Sequence, residues 1–149
     1  MRAGIRGEQG LVINACFNHN HVTIRESARH VLQVLGRPGG NLAQHSMQQA
    51  RQVAENETMS SEKRAEAIHL LALQNPKPFA SFLENLIKPE MPLNVQIAAL
   101  QALSAIPDSE VSSFILNRWT ALTLGIRETA LNTCIDEPFN VQRIRLFLD

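Results

Sequence analysis

One short pattern recurs four times along the chain, and it restricts the fold more than any other feature of the sequence. IRESARHVL begins at Ile24 and IRETALNTC at Ile126, while KRAEAIHLLAL from Lys63 and NVQIAALQAL from Asn94 fit the same frame. The aligned alanines, 39, 32 and 31 residues apart, are Ala28, Ala67, Ala99 and Ala130. A period of this length is typical of solenoids in which pairs of helices stack on one another.

Each copy of the pattern reads as one apolar face of a helix. The small alanine is followed one and four positions later by larger, mostly apolar residues, which lie together at helical spacing. The residues one position on are Arg29, Ile68, Leu100 and Leu131, and those four positions on are Leu32, Leu71, Leu103 and Cys134. We call the four segments the motif helices. An aromatic content of only 5% and the absence of tyrosine also favour packed helices over a β-sandwich.

A second amphipathic stretch follows each motif helix after a Gly-rich or Pro-containing break. The sequence therefore predicts an all-α fold, an α-α superhelix of about four helix pairs in a single domain over residues 1–149. The expected repeats cover approximately 23–59, 60–91, 92–122 and 123–149, and residues 1–22 form an N-terminal segment that is a helix, a strand or an ordered tail. The boundary signals are a capping box of Thr23 with Glu26, N-caps at Ser60, Asp108 and Thr123, first-turn prolines Pro92 and Pro138, and a helix-closing Gly36.

The segments GIRETALNTC, TIRESARHVLQVLG and PLNVQIAALQALSAIP resemble the V-R-x-A-A-x-x-A-L-G helix of HEAT repeats over roughly residues 23–149. The resemblance implies a HEAT-like, armadillo-type solenoid. The last two repeats are similar to the HEAT region of planctomycete-type membrane-bound dehydrogenase and haem-binding proteins, which implies a fragment of a larger redox enzyme as one alternative. This chain has no CxxCH haem site, so no haem or other cofactor is expected.

Three residues before the motif alanines stand Arg25, Arg64, Gln96 and Arg127, a row that we call the ladder. In HEAT repeats such an arginine usually holds a neighbouring inter-helix turn, which is the favoured interpretation here because a guanidinium makes several fixed hydrogen bonds at once. The alternative is that Arg25, Arg64 and Arg127 contact a partner or the phosphates of a nucleic acid. The interruption of the row by Gln96 and the balance of 14 basic against 14 acidic residues make nucleic acid the weaker expectation.

The predicted function is a non-catalytic protein-interaction or scaffolding module. No GxSxG element, histidine-flanked thiol or Walker lysine is present, so we expect no enzyme activity. Tryptophan and arginine are enriched in binding hot spots, which makes Trp119 and Arg118, with Lys88, candidate contacts for a protein partner.

The histidines and cysteines are further candidates for a site. His19 and His21 in FNHNHV alternate as in some metal sites, with His30 nearby, but no acid or cysteine at a familiar spacing completes a ligand set. No metal is therefore expected, and the role of these histidines stays open. Cys16 and Cys134 form no CxxC pair and are interpreted as buried free thiols.

The two ends of the chain bear on assembly and location. The apolar run from Leu11 to Phe17 is too short for a membrane span or signal peptide, so we expect a cytoplasmic protein without membrane contact, unless the chain belongs to a longer extracytoplasmic one. Near the other end, Ile144, Phe147 and Leu148 have no following repeat to cover them. They fold inward, form a homodimer contact, or meet further chain.

Overall fold

The computed structural model describes residues 2–35, 40–106 and 111–135, and within these ranges it is helical with no β-strand. The α-helices are α1 (Arg2–Asn18), α2 (Val22–Leu35), α3 (Gly40–Glu55), α4 (Ser61–Gln74), α5 (Ala80–Leu86), α6 (Leu93–Ser104), α7 (Val111–Asn117) and α8 (Leu124–Ile135). Short 3-10 turns cover Lys77–Phe79 and Trp119–Ala121. The predicted all-α class is confirmed.

The chain divides into two compact units, Met1–Asn75 and Pro76–Asp149. In the first unit α1 packs against α2 and α3, and α3 packs against α4. Its interior is built from small and branched side chains at the motif spacing, because Ala67, Ile68 and Leu71 are all but inaccessible on α4 while Ala50 and Ala54 face them from α3. The N-terminal segment, whose structure the sequence left open, supplies α1.

In the second unit α6 packs against α5 and α8. Seven of its twelve residues are buried, as expected for a helix that is apolar nearly all round. Ala98, Ala99 and Ala102 let the neighbouring helices approach closely. At the start of α8, Gly125 lies so near Leu93 that an added methyl group would stand 3.1 Å from Leu93 Cδ1.

The motif helices of the sequence are α2, α4, α6 and α8, and their alanines are buried at all four positions. The packing joins α1 with α2, α3 with α4 and α5 with α6, so the first three motif helices each pack on the helix that precedes them. The expected repeats at 23–59, 60–91, 92–122 and 123–149 group each motif helix with the helix that follows. That division stays a prediction.

The helix boundaries agree with some of the sequence signals and not with others. Ser60 caps α4, accepting a hydrogen bond from the Lys63 backbone N–H at 3.4 Å. Thr23 does not cap α2, because the helix begins one residue earlier at Val22 and the Arg25 N–H donates to His21 O at 3.2 Å. Pro92 directly precedes α6 instead of lying in its first turn. Gly36, Asp108 and Pro138 lie outside the described residues.

Thr123 directly precedes α8, as predicted. Its buried hydroxyl nevertheless has no hydrogen-bond partner in the described part of the chain, so it holds the position of an N-cap without making the capping bond. Across the described ranges, no helix is long and apolar enough to cross a membrane.

Candidate functional site

The first ladder residue, Arg25, is the centre of a buried polar cluster. Only 3% of Arg25 is exposed, and its Nε and Nη2 donate to the two carboxylate oxygens of Glu66 at 2.6 and 3.2 Å. Nη1 donates to the carbonyls of His19 and Asn20 at 2.8 and 3.1 Å. One guanidinium therefore joins α2 to α4 and to the connection between α1 and α2.

The other ladder side chains also bind backbone carbonyls that precede their own helices. Arg64, 4% exposed, donates from Nε to Ala54 O at 2.9 Å. Gln96, 2% exposed, donates from Nε2 to Met91 O at 2.7 Å. Arg127 donates from Nη2 to Thr120 O at 3.1 Å. Each acceptor lies between five and ten residues before its donor, so all four side chains attach a motif helix to the chain that leads into it.

This geometry agrees with the interpretation that the ladder holds inter-helix connections. It also places the guanidinium groups of Arg25 and Arg64 inside the first unit, where their hydrogen bonds go to protein atoms. A partner or a phosphate could reach them only by displacing those bonds. Of the three arginines offered as contacts, Arg127 alone is partly accessible.

The predicted contacts around Trp119 lie in the second unit and are more accessible. The Arg127 guanidinium carbon stands 5.6 Å from the centroid of the Trp119 ring, and Arg118 stands 4.6 Å above the Phe114 ring. Trp119 is half-buried, and Arg118 and Lys88 are exposed. The structure thus brings Trp119 together with a ladder residue, a relation that the sequence spacing did not indicate. Ile144, Phe147 and Leu148 lie outside the described residues, and self-association through them stays a prediction.

An exposed apolar row lies on α2, and the repeat pattern of the sequence did not predict it. Ile24, Val31 and Val34 share one face of the helix, at intervals of seven and three residues, and 74% of Val34 is accessible. Ala28 and Leu32, the motif positions of the same helix, are buried. We call Ile24, Val31 and Val34 the α2 stripe. The sequence carried a signal for this stripe, because α2 has apolar residues outside the motif positions Ala28 and Leu32 as well as at those two positions.

The histidine segment adopts a turn between α1 and α2. His19 and His21 have ring centroids 5.6 Å apart, and the His21 backbone N–H donates to His19 Nδ1 at 3.1 Å. Nowhere in the described ranges do three or more His, Cys, Asp or Glu side chains gather as metal ligands would.

Two titratable groups, the buried Cys16 and the half-buried His69, lie near the Arg25–Glu66 pair. Burial raises the pKa of the Cys16 thiol to about 11, against a smaller lowering by the charge of Arg29. Burial, and after it the charge of Arg29, lower the pKa of His69, while Glu66 acts in the opposite direction. Both groups are therefore uncharged near neutral pH, and Cys16 is a poor nucleophile because it is a thiol and not a thiolate.

Comparison of the chain with protein-family models, with curated proteins and with solved structures found no match.

Proposed function

We propose that the chain is a non-catalytic protein-binding module, a HEAT-like α-α superhelix whose motif helices present side chains to a protein partner. The observation that carries the proposal is the α2 stripe. Helices of a water-soluble unit normally turn such residues inward, and apolar groups that share one exposed face mark sites of association.

The ladder supports the architectural half of the proposal. Four side chains at the same place in four helices make the same kind of bond to a preceding carbonyl. Because the same bond recurs in four helices, whereas a catalytic group acts at one place, we assign the ladder a structural role. The polar ladder side chains thus attach each motif helix to the chain before it, and the accessible apolar residues are left for recognition.

The electrostatics support a protein partner over a nucleic acid. The chain carries 14 basic and 14 acidic residues, and two of the three ladder arginines are buried. Binding to a phosphate backbone depends on accessible cations and gives a steep dependence on salt.

The test is capture of partners by the full chain from its native host, compared with two aspartate variants. Val34→Asp places a charge in the α2 stripe, and Leu124→Asp places the same charge at an equally accessible apolar residue of the other unit, where Val34 and Leu124 are 74% and 77% exposed. Because both sites face water, neither variant is expected to unfold, which circular dichroism checks.

We expect the wild-type chain and Leu124→Asp to retain one protein, identified by mass spectrometry, and Val34→Asp to lose it. A photo-reactive amino acid in place of Ser27, which lies on the same exposed face, should crosslink to that protein. Recovery of nucleic acid alone, or equal recovery of the protein by both variants, would overturn the proposal.

A further inference from the structure

A cavity of about 180 Å³ opens within the first unit, between the end of α1 and the helices α2, α3 and α4. Its apolar wall includes Phe17, Val53 and Leu70. Two cationic side chains, Arg29 from α2 and Lys63 from α4, line it as well. The combination of an apolar wall with a few charged groups is typical of sites for small ligands.

Arg29 is out of place in the repeat. It stands one position after the motif alanine, where the other three motif helices carry Ile68, Leu100 and Leu131. Its Nε is buried and has no hydrogen-bond partner, and it forms no ion pair with the described residues. An unpaired buried donor on a charged group is unfavourable by itself, so an acceptor at this place would stabilise it.

The acid in the cavity wall does not neutralise these cations. Both carboxylate oxygens of Glu66 already accept hydrogen bonds from Arg25, so that pair has no net charge. Lys63, in the first turn of α4, is exposed and forms no ion pair with the described residues. Cys16, which also lines the cavity, stays a neutral thiol because its pKa is raised to about 11. Arg29 and Lys63 therefore leave the cavity with two uncompensated positive charges.

We propose that this cavity binds a small organic anion, a carboxylate or phosphate head placed against Arg29 and Lys63 on an apolar body that packs against Phe17, Val53 and Leu70. The volume limits that body, because a cavity of roughly 150 Å³ holds one benzene ring. The ligand class is therefore a single ring or a short branched chain with one anionic group. This inference is independent of the α2 stripe and of the protein partner proposed above.

The experiment titrates the full chain with four probes, followed by the amide shifts of the cavity residues in NMR spectra and by calorimetry. Benzoate and phenyl phosphate carry the ring with either head, benzyl alcohol carries the ring without charge, and inorganic phosphate carries the charge without the ring. We expect benzoate, phenyl phosphate or both to bind at least about tenfold more tightly than benzyl alcohol and inorganic phosphate. The stronger of the two identifies the head group.

Three variants test the residues. Arg29→Gln should weaken the binding of the preferred probe at least about tenfold, and Lys63→Gln by about twofold to fivefold, because an exposed ammonium contributes less than a guanidinium whose Nε is buried. Arg51→Gln, which removes an exposed arginine of the same unit, should change nothing. Lys63→Gln keeps the test decisive if Arg29→Gln does not fold. Equal binding of benzoate and benzyl alcohol, equal loss in Arg51→Gln, or no binding of any probe up to about 10 mM overturns the proposal.

Discussion

The ladder position is filled differently in the two units of the molecule. In Met1–Asn75 it holds Arg25 and Arg64, both buried, and every nitrogen of the Arg25 guanidinium has an acceptor. In Pro76–Asp149 it holds Gln96 and Arg127, where the buried Gln96 Oε1 and Arg127 Nε have no hydrogen-bond partner among the described residues. The bond to a preceding carbonyl is common to both units, and among the described residues the ionic bridge between two motif helices is found in the first unit. Both units thus have a long side chain at the ladder position that donates a hydrogen bond to a preceding carbonyl. In the first unit the charge of Arg25 adds an ionic bridge to Glu66.

The largest effect should come from breaking the ionic bridge. Arg25→Ala leaves the carboxylate of Glu66, whose side chain is 12% exposed, without its partner and frees two carbonyls. We expect the free energy of unfolding to fall by about 3 to 5 kcal/mol, measured by urea denaturation. Arg51→Ala, which breaks the exposed pair of Arg51 with Glu55, should lower it by less than about 0.5 kcal/mol. Similar losses in the two variants would contradict a structural role for Arg25.

Truncation of a buried leucine should destabilise the two units equally, although substitutions at their ladder positions should not. Leu71 and Leu103 occupy the same motif position in α4 and α6, and both are almost fully buried. Leu71→Ala and Leu103→Ala should each lower the free energy of unfolding by about 2 to 5 kcal/mol, because each removes buried methyl groups and leaves a cavity. The measurement is again urea denaturation. A loss confined to one of the two variants would mean that the motif positions are not equivalent.

Removing the neutral ladder residue should have a smaller effect. Gln96→Met deletes one hydrogen bond to Met91 O but also deletes the unpartnered Oε1, so the two consequences partly offset each other. We expect a change of about 1 kcal/mol or less in the thermal or urea unfolding of the full chain. A loss as large as that of Arg25→Ala would show that the carbonyl bond, and not the ionic bridge, is the main contribution of the ladder.

The last effect is confined to alkaline pH and concerns Cys16, in the interior of the first unit. Because its pKa is about 11 in the folded chain and 9.0 for an ordinary thiol, the folded state retains the proton longer than the unfolded state. The resulting stabilisation is complete below pH 9 and is lost as the pH rises through 11, so Cys16→Ala should flatten the stability profile in that window. At pH 8, iodoacetamide should modify Cys16 of the folded chain at least about tenfold more slowly than it modifies glutathione. After the chain is unfolded in urea, Cys16 and glutathione should react at the same rate. Equal rates in the folded chain would show that the thiol is not protected.

The sequence predicted the parts of this structure that depend on local periodicity. Helical spacing placed Ala28, Ala67, Ala99 and Ala130 on buried faces, and the hydroxyl of Ser60 marked the start of α4. The sequence predicted the start of α2 wrongly, because Thr23 has the residue type of an N-cap. In the structure the helix begins at Val22, and the carbonyl of His21 accepts a hydrogen bond from the Arg25 N–H. Local signals of this kind define a helix boundary only to within one or two residues.

The contacts between helices could not be predicted from one sequence. Glu66 lies 41 residues after Arg25, and nothing in the pattern of α4 distinguishes it from a solvent-facing acid. Arg29 did carry a signal, since it replaces an apolar residue of the repeat, but a charge at that position is also compatible with an exposed edge. Only the packing of α1 to α4 shows that it lines a cavity.

The structural role of the ladder can be tested most directly by measuring how far its guanidinium groups are protected from water. Exchange of the arginine Nε protons with water can be followed by NMR on the labelled full chain, with the signals assigned from single Arg→Lys variants. The Nε of Arg25 donates to the part-buried carboxylate of Glu66 and that of Arg64 to the buried Ala54 O, whereas Arg51 donates to Glu55 at the surface. We expect the Arg25 and Arg64 protons to exchange at least about tenfold more slowly than that of Arg51. Equal exchange rates at the three sites would contradict it, because they would mean that the ladder is open to solvent and free to meet a ligand.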